Sequence, residues 1–540
     1  MPIKLLSGGA GDLLRTKGRF CVVGAGMAGL FVARKLALAG HRVVVLESGR
    51  LGFDPHIHEL NTIIDVNGRY TRALTGRYRG LGGSSSQWGG RMIPIYRHDA
   101  EARGYLGLEA WPFAFDELES YGREIESVFG LPHGTFGAEA VGDASFRESL
   151  AKNDTDFQSR WAKWINYRRC NLATLWKSEL ERLPEIEVWL GATVVDFTLD
   201  ADAGRLSSVK ARGHGGERLE VSADQFVIAA GTIETTRLLL WLNARSNGHA
   251  FERCTALGHY FQDHLKAGVA TIARKDQALS NRLFGYHFVD GTRRSLHIDL
   301  TPQAQETDGV SSAFVYAAMD LSHSRLERIK KIARGLQRRQ TRLRDIVGLA
   351  ADAGLVARSV YWRYLRRQVY MPRDVGLEVQ VAIEQAPDWD NHIVLSSERD
   401  RLDLPKVELN WRPSAKDERT FQATIARLKR FWTRSGIEQD CPLDWRTGQP
   451  DYDRPVTDIA EAYAHPSGTT RMGLDPATSV VGPDLACHAI PNVSVASASV
   501  FPTSGSANPT FTILKLALRL ADRLLAMPVA TQSAPLHEFS

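Results

Sequence analysis

The sequence has little cysteine, and what it has is scattered. Cys21, Cys170, Cys254, Cys441 and Cys487 are odd in number and share no metal-ligand spacing, so neither a disulfide framework nor a zinc site is expected, and a reducing compartment fits. No uncharged apolar run approaches membrane-spanning length. The opening "MPIKLLSGGAGDLLRTKGRF" has no apolar core of signal-peptide length and no twin arginine, which leads us to expect a cytoplasmic location. Internal repeats and low-complexity linkers are absent. With 43% hydrophobic and 24% charged residues over 540 positions, the chain has the composition of a soluble globular protein with room for more than one core.

A one-signed charge excess is also missing from most of the chain. The net charge is +5, yet residues 324–373 alone carry 14 Lys or Arg against 3 Asp or Glu, so the remainder is net acidic. Within that basic segment Leu326, Ile329, Ile332 and Leu336, then Leu343, Ile346 and Leu349, recur at helical spacing. Two readings stand: the solvated face of two surface helices, or docking onto an anionic membrane surface or acidic partner through Arg338, Arg339, Arg342 and Arg344. Nucleic acid is not expected, because no recognised binding motif accompanies the charge.

What is present begins near the N-terminus. "RFCVVGAGMAGLFVARKLALAGHRVVVLESG" reads as a β-branched strand to Val23, a turn with Gly24, Gly26 and Gly29 in G-x-G-x-x-G order, a helix of small residues, and a second strand ending at Glu47. Gly24 makes the tight turn, Gly26 lets the backbone approach a pyrophosphate, and Gly29 allows close helix-on-strand packing. The helix N-terminus then faces phosphate. Glu47 lies 23 residues beyond Gly24, where a carboxylate can accept from ribose hydroxyls. This is a dinucleotide-binding unit, and its acid suits FAD or NAD equally.

Further along, "YRGLGGSSSQWGGRMIP" is a loop whose small side chains would let backbone amides close over an extended cofactor. "QFVIAAGTIETTRLLL" gives a buried strand ending in Ala230-Gly231 before a helix, which resembles the late strand of FAD-containing two-dinucleotide-binding-domain flavoproteins. Near the C-terminus stand "AHPSGTTRMG" and "SVFPTSGSANPTFTI".

Taken together, residues 18–50, 78–94, 225–265 and 460–525 resemble the glucose-methanol-choline (GMC) oxidoreductase family, with a tail most similar to bacterial sugar-oxidising or sugar-acid-oxidising members. The resemblance implies His465 of the H-x-x-G-T segment as active-site base and Asn508 as its partner. It implies FAD contacts from Gly24, Gly26, Met27, Gly29, Glu47 and Ser48; from Gly82, Gly83, Ser84, Ser86, Gln87, Trp88 and Gly89; from Val194, Ala230 and Gly231; and from Ser497, Pro509 and Thr510. Because Gln87 stands where some relatives carry a flavin-tethering histidine, FAD is expected to be non-covalent. Many members have an aspartate where this chain has Ser497.

The residue types suit those roles. An imidazole titrates in the range needed to take a hydroxyl proton, and an amide holds a substrate oxygen without ionising. Plainer readings stand beside them. His465 next to Pro466 and Gly468 suits a turn, and Asn508 before Pro509 suits a helix N-cap with proline at the first helical position. The apolar helix that follows would direct its positive end at a reduced flavin ring. Asp263 and His264 in "GHYFQDHL" read as structural partners, Trp88 as flavin contact or packing, and Cys487 and His488 are given no function.

The expected architecture is α/β: an FAD-binding Rossmann-like domain of the two-dinucleotide-binding-domain type with a discontinuous α+β substrate domain containing an antiparallel sheet. The first takes 1–95, 185–265 and 455–540; the second takes 96–184 and 266–454, including the basic insert at about 324–373. Runs such as "GLEVQVAIEQ" and "HIVLSSE" suggest the antiparallel sheet. The expected activity is FAD-dependent oxidation of an alcohol group of a sugar, glycoside or polyol-like molecule, with hydride passing to flavin N5. Two alternatives are kept: a lyase or decarboxylase on the same fold, and a membrane-docked subunit passing electrons to a cytochrome or quinone. The electron acceptor, whether oxygen, quinone or protein, is not read from the sequence, and no metal is expected.

Overall fold

The computed structural model describes residues 2–7, 13–140, 154–200, 204–322, 324–327, 352–446 and 454–528. An eight-stranded sheet gathers the ends of the chain. Its parallel half runs Ile3–Leu5, Ile186–Leu190, Val43–Glu47, Leu13–Val23 and Arg218–Ile228, with Val493–Val495 added parallel to the last. An antiparallel meander, Thr193–Asp200, Arg205–Arg212 and Arg218–Ile228, completes it. The strand Val43–Glu47 is buried throughout, the pattern of a parallel strand covered on both faces. Helix Met27–Leu38 covers it through Ala28, Gly29, Leu30, Phe31 and Val32, all buried. Helix Thr510–Ala526, amphipathic with Phe511, Leu514, Leu518 and Leu524 inward, packs beside that helix.

A nine-stranded antiparallel sheet forms the second layer, in the order Leu443–Trp445, Leu265–Ile272, Gly376–Ile383, Ala313–Asp320, Thr292–Leu300, Phe157–Trp164 and Arg91–Met92, with short strands His287–Val289 and Glu461–Ala462 attached. Helix Ala415–Arg434 closes its back with Phe421, Ile425, Leu428, Phe431 and Trp432. Ser414 opens this helix with a capping box to Asp417.

Two placements are not visible in sequence order. "HIVLSSE" is a strand, His392–Arg399, but it leaves the large sheet to pair with Pro405–Asn410, whose other neighbour is Ile63–Asp65 from the N-terminal segment. Residues 96–184, expected in the substrate domain, put Trp111, Leu118, Ile125, Phe129, Leu172 and Trp176 into the core under the eight-stranded sheet. Among the described residues of that stretch, Phe157 and Trp161 are buried in the core of the other, with Ala140 packed against it. Side-chain pattern along the chain reports that a residue is buried, but not which core receives it.

Of the basic segment, residues 324–327 and 352–373 are described; Arg338, Arg339, Arg342 and Arg344 lie outside the described residues. Among the described residues no helix is long and apolar enough to cross a membrane.

Candidate active site

A cavity of about 770 Å³ runs between the two large sheets. Its nucleotide end is built from backbone. Gly24 sits at φ +105°, and a Cβ there would meet the Ala229 carbonyl at 2.6 Å; one on Gly29 would meet the Gly24 carbonyl at 2.0 Å. Gly26 differs: a Cβ would touch only Ala229, at 4.0 Å, and would otherwise project into the cavity. That is the surface on which a pyrophosphate can lie against the start of helix Met27–Leu38. Opposite it, Gly83 at φ +55° packs so close that a Cβ would meet Gly26 Cα at 2.8 Å.

Glu47, 6% exposed, accepts the Ala25 amide on Oε2 and the Gly49 amide on Oε1, each at 2.8 Å. Burial pushes its pKa up against these amides. One lone pair of each oxygen remains for sugar hydroxyls. Ser48, Val194, Ala230 and Gly231 line the same end, and Met27, Ser84, Gln87, Trp88, Gly89, Ser497, Pro509 and Thr510 line the rest. These residues fit an extended dinucleotide. Gly29, Gly82 and Ser86 stand behind the wall instead: Gly29 is consumed by helix packing, Gly82 donates to the Ala25 carbonyl, and the Ser86 hydroxyl to the Gly83 carbonyl. Ser497 turns its hydroxyl to the amide and hydroxyl of Ser499. Trp88 lines the cavity, packs edge-on against Phe129 and donates Nε1–H to the Cys170 carbonyl.

The other end is built from side chains. Residues 463–469 lie against 260–265 through a two-way bridge between Gln262 and Ser467. Gly468 is at φ +74°, and a Cβ there would meet the Tyr260 carbonyl at 2.0 Å, so the glycine of H-x-x-G-T is what allows the two segments to touch. Ala464, just before the histidine, is held in the left-handed region at φ +63°, a conformation that costs a non-glycine residue about 1 kcal/mol or more and that its surroundings must impose. Asp263 supplies the constraint: its carboxylate accepts the amides of His465 at 2.8 Å and Tyr463 at 3.2 Å and the hydroxyl of Tyr70 at 2.8 Å. Full burial pushes Asp263 up to about 7 against these donors.

The imidazole is held from both sides. His264 Nε2 lies 2.7 Å from the Gly505 carbonyl, and its Nδ1 lies 2.9 Å from His465 Nδ1; His465 Nε2 lies 3.2 Å from Asn508 Nδ2. A carbonyl only accepts, so His264 carries its proton on Nε2. Burial lowers the His264 pKa to about 4, leaving Nδ1 bare. His465 must then donate from Nδ1, and its Nε2 is the bare nitrogen at the cavity. Asn508 donates to it through its amide nitrogen; the reverse orientation would set two acceptors face to face. Burial, then His264 and Arg91, hold His465 well below the ordinary histidine value, so it is neutral at physiological pH.

Asn508 does not cap the following helix. Pro509 is the cap, helical residues start at Thr510, and no side chain bonds to the first turn. The amide is committed to His465, and its Oδ1 has no partner. Asp263 and His264, read as structural, are the groups that fix the histidine. Arg91, Tyr316 and Tyr463 also line this end and were not singled out; the signal for Arg91 was a lone charge closing a loop of small residues.

A family model described as GMC oxidoreductase matches residues 387–517, and one described as FAD dependent oxidoreductase matches 19–58. Together they identify a GMC oxidoreductase C-terminal domain joined to an FAD-dependent oxidoreductase unit. It is an FAD-dependent oxidoreductase acting on CH–OH groups. Among its relatives, 2-methyl-1,2-propanediol dehydrogenase of Mycolicibacterium austroafricanum is 23% identical, covering 93% of this chain and 94% of that one. The fructose dehydrogenase large subunit of Gluconobacter japonicus is 22% identical over 93% and 97%. A C-glycoside 3-oxidase of Microbacterium trichothecenolyticum is 36% identical over 24% of each chain. The GMC fold is shared with the crystal structure of pyridoxine 4-oxidase from Mesorbium loti, at TM-score 0.61, 17% identity and coverage of 94% and 99%.

Proposed function

We propose that this GMC oxidoreductase oxidises a hydroxyl group of a sugar, glycoside or polyol-like small molecule, with His465 as the base. The observation that carries the reading is the bare Nε2 of a neutral histidine, held by His264 behind it and Asn508 beside it, at the wall of the cavity. FAD, when bound, supplies the hydride acceptor. A substrate hydroxyl donates into His465 Nε2, and the Asn508 amide turns its N–H from that nitrogen to the alcohol oxygen, holding it while the proton moves. Polyhydroxylated substrates are supported by the walls near His465, where Trp164, Tyr286, Tyr316 and Tyr463 offer flat faces and Ser295 a hydroxyl. Relatives named for fructose and for C-glycosides point the same way. Gln87, on the cavity wall, has a non-nucleophilic amide, so FAD is held without a covalent link there; acid precipitation should leave the colour in the supernatant.

Anaerobic mixing with a panel of sugars and polyols tests the reading. Bleaching of the flavin's visible absorbance supports hydroxyl oxidation; product without bleaching would mean lyase chemistry.

A second reading concerns helix Ala353–Tyr364 of the basic segment and the residues that follow it. Val360, Tyr361, Tyr364 and Leu365 are 49–74% exposed, and Arg358, Arg366 and Arg367 beside them are exposed too. Apolar side chains among arginines suit peripheral docking on an anionic lipid surface. Sedimentation with phosphatidylserine vesicles should be measurable at low salt and lost on screening; no binding at low salt returns the segment to a solvated face.

A further inference from the structure

Arg91 occupies the short edge strand Arg91–Met92, directly after the Gly/Ser loop, and faces the cavity with Tyr463 and His465. Its guanidinium carbon lies 5.8 Å from the ring centre of Trp164, 5.9 Å from Phe314, 5.4 Å from Tyr316 and 5.7 Å from Tyr463. Nη2 donates to the Tyr463 hydroxyl at 2.6 Å, and that hydroxyl lies 3.0 Å from the Tyr316 hydroxyl. The rings partly compensate a cation, but a guanidinium has five N–H donors. No carboxylate of the described residues lies within ion-pair distance of it.

The interior arginines are met in two ways: Arg77 and Arg294 give N–H groups to backbone carbonyls and have no ion pair among the described residues, whereas four others meet carboxylates. Arg103 pairs with Glu384, Arg160 with Asp299, Arg237 with Asp400 and Arg79 with Glu234. The two carboxylates on the cavity wall, Glu47 and Glu234, are both committed: one to backbone amides, the other to Arg79 and Arg237. Arg293, 4.2 Å from the centre of the Trp164 ring, adds a second positive group behind the wall, again with no ion-pair partner among the described residues. A cation away from bulk water without a counter-ion is unfavourable unless a ligand supplies one.

Building on the hydroxyl-oxidation reading, we propose that the substrate is a hydroxylated carboxylate, an acid of sugar type, whose carboxylate is received by Arg91. A planar carboxylate takes two parallel N–H bonds from one guanidinium, which suits it better than a phosphate. The spacing is appropriate. The Tyr463 ring centre is 4.9 Å from that of His465 and 5.7 Å from the Arg91 guanidinium, so those two distances laid end to end bound the separation, comparable with the length of a sugar acid. One end of the substrate is anchored while a hydroxyl along it reaches Nε2.

The test uses the oxidised FAD-loaded enzyme. Acetate is titrated in, read as perturbation of the flavin's visible band. Wild type should show saturable binding, weakened at least tenfold in Arg91→Met and intermediate in Arg91→Lys, which keeps the charge without the fork. Flavin content and melting temperature exclude misfolding. In parallel, gluconate, glucuronate and galacturonate are compared with their methyl esters and parent neutral sugars by anaerobic flavin reduction. Within each reactive pair the acid should lead by about 10²-fold in the ratio of rate to apparent Kd, and Arg91→Met should abolish that lead. Absence of saturable acetate binding, equal binding by the methionine variant, or neutral sugars and esters reacting as well as acids would each overturn the proposal. If nothing in the panel bleaches the flavin, the hydroxyl-oxidation reading fails, and the acetate titration still decides Arg91.

Discussion

The two ends of the cavity are made in opposite ways. At the nucleotide end, fit is achieved by what is missing: Gly24, Gly26, Gly29 and Gly83 let backbone meet backbone, and the recognition groups are amides, a helix terminus and one carboxylate. At the reacting end it is achieved by what is added: Asp263, His264, His465, Asn508, Tyr463 and Arg91, drawn from segments up to several hundred residues apart, each fix the next. A backbone site tolerates no added atom, whereas a side-chain site tolerates atoms but not lost hydrogen-bond direction.

The largest effect should come from adding an atom at the first end. Gly29→Val places a branched side chain where even a Cβ would lie 2.0 Å from the Gly24 carbonyl; no yellow, folded protein should be recovered, and normal FAD content in the variant would break the contrast. Next comes removal of the proposed proton acceptor. His465→Ala should keep FAD and fold, yet slow flavin reduction by about 10²–10⁴-fold, the range for losing a positioned general base; wild-type stopped-flow rates would remove His465 from that role.

The third change sharpens the comparison by altering direction alone. His264→Gln leaves the base in place but removes the bare nitrogen that fixes its tautomer, and reduction should slow by about tenfold with FAD content unchanged. The same variant has a stability signature. The folded pKa of His264 is lowered to about 4 from 6.5, so its contribution is present above 6.5 and is lost as pH falls toward 4. Between pH 7 and pH 5 wild type should lose on the order of 1–2 kcal/mol more than the variant, read from melts at both values. Smallest is Asn508→Ala. Because Pro509, not Asn508, caps the helix, stability should change by under about 0.5 kcal/mol, well short of the usual loss for a true N-cap, while flavin reduction slows. A full cap-sized loss would restore the capping role.

Legibility in the sequence followed the same division. The glycine turn, Glu47 and the strand before Ala230-Gly231 are local patterns, and backbone sites must be written locally. His465 and Asn508 were found through resemblance and the fitness of their side chains; Asp263 and His264 were read as structural because nothing in "GHYFQDHL" reveals that Gly468 leaves room for it beside His465. Likewise "HIVLSSE" declared a strand but not its partner, and the buried positions of 96–184 did not declare their core. Long-range pairing of this kind is decided by register across the sheets, which no window of one strand contains.

The alignment of His465 also has a diagnostic consequence. Its Nδ1 proton is set by His264 and, beyond it, by the carbonyl of Gly505, a residue whose own N–H donates to Glu384. Four separate stretches of chain must therefore dock before one imidazole nitrogen becomes protonated and the other bare. The ring's nitrogen chemical shifts, which separate protonated from bare sites, become a single-residue gauge of whether expressed or refolded material is native, readable before any substrate is known.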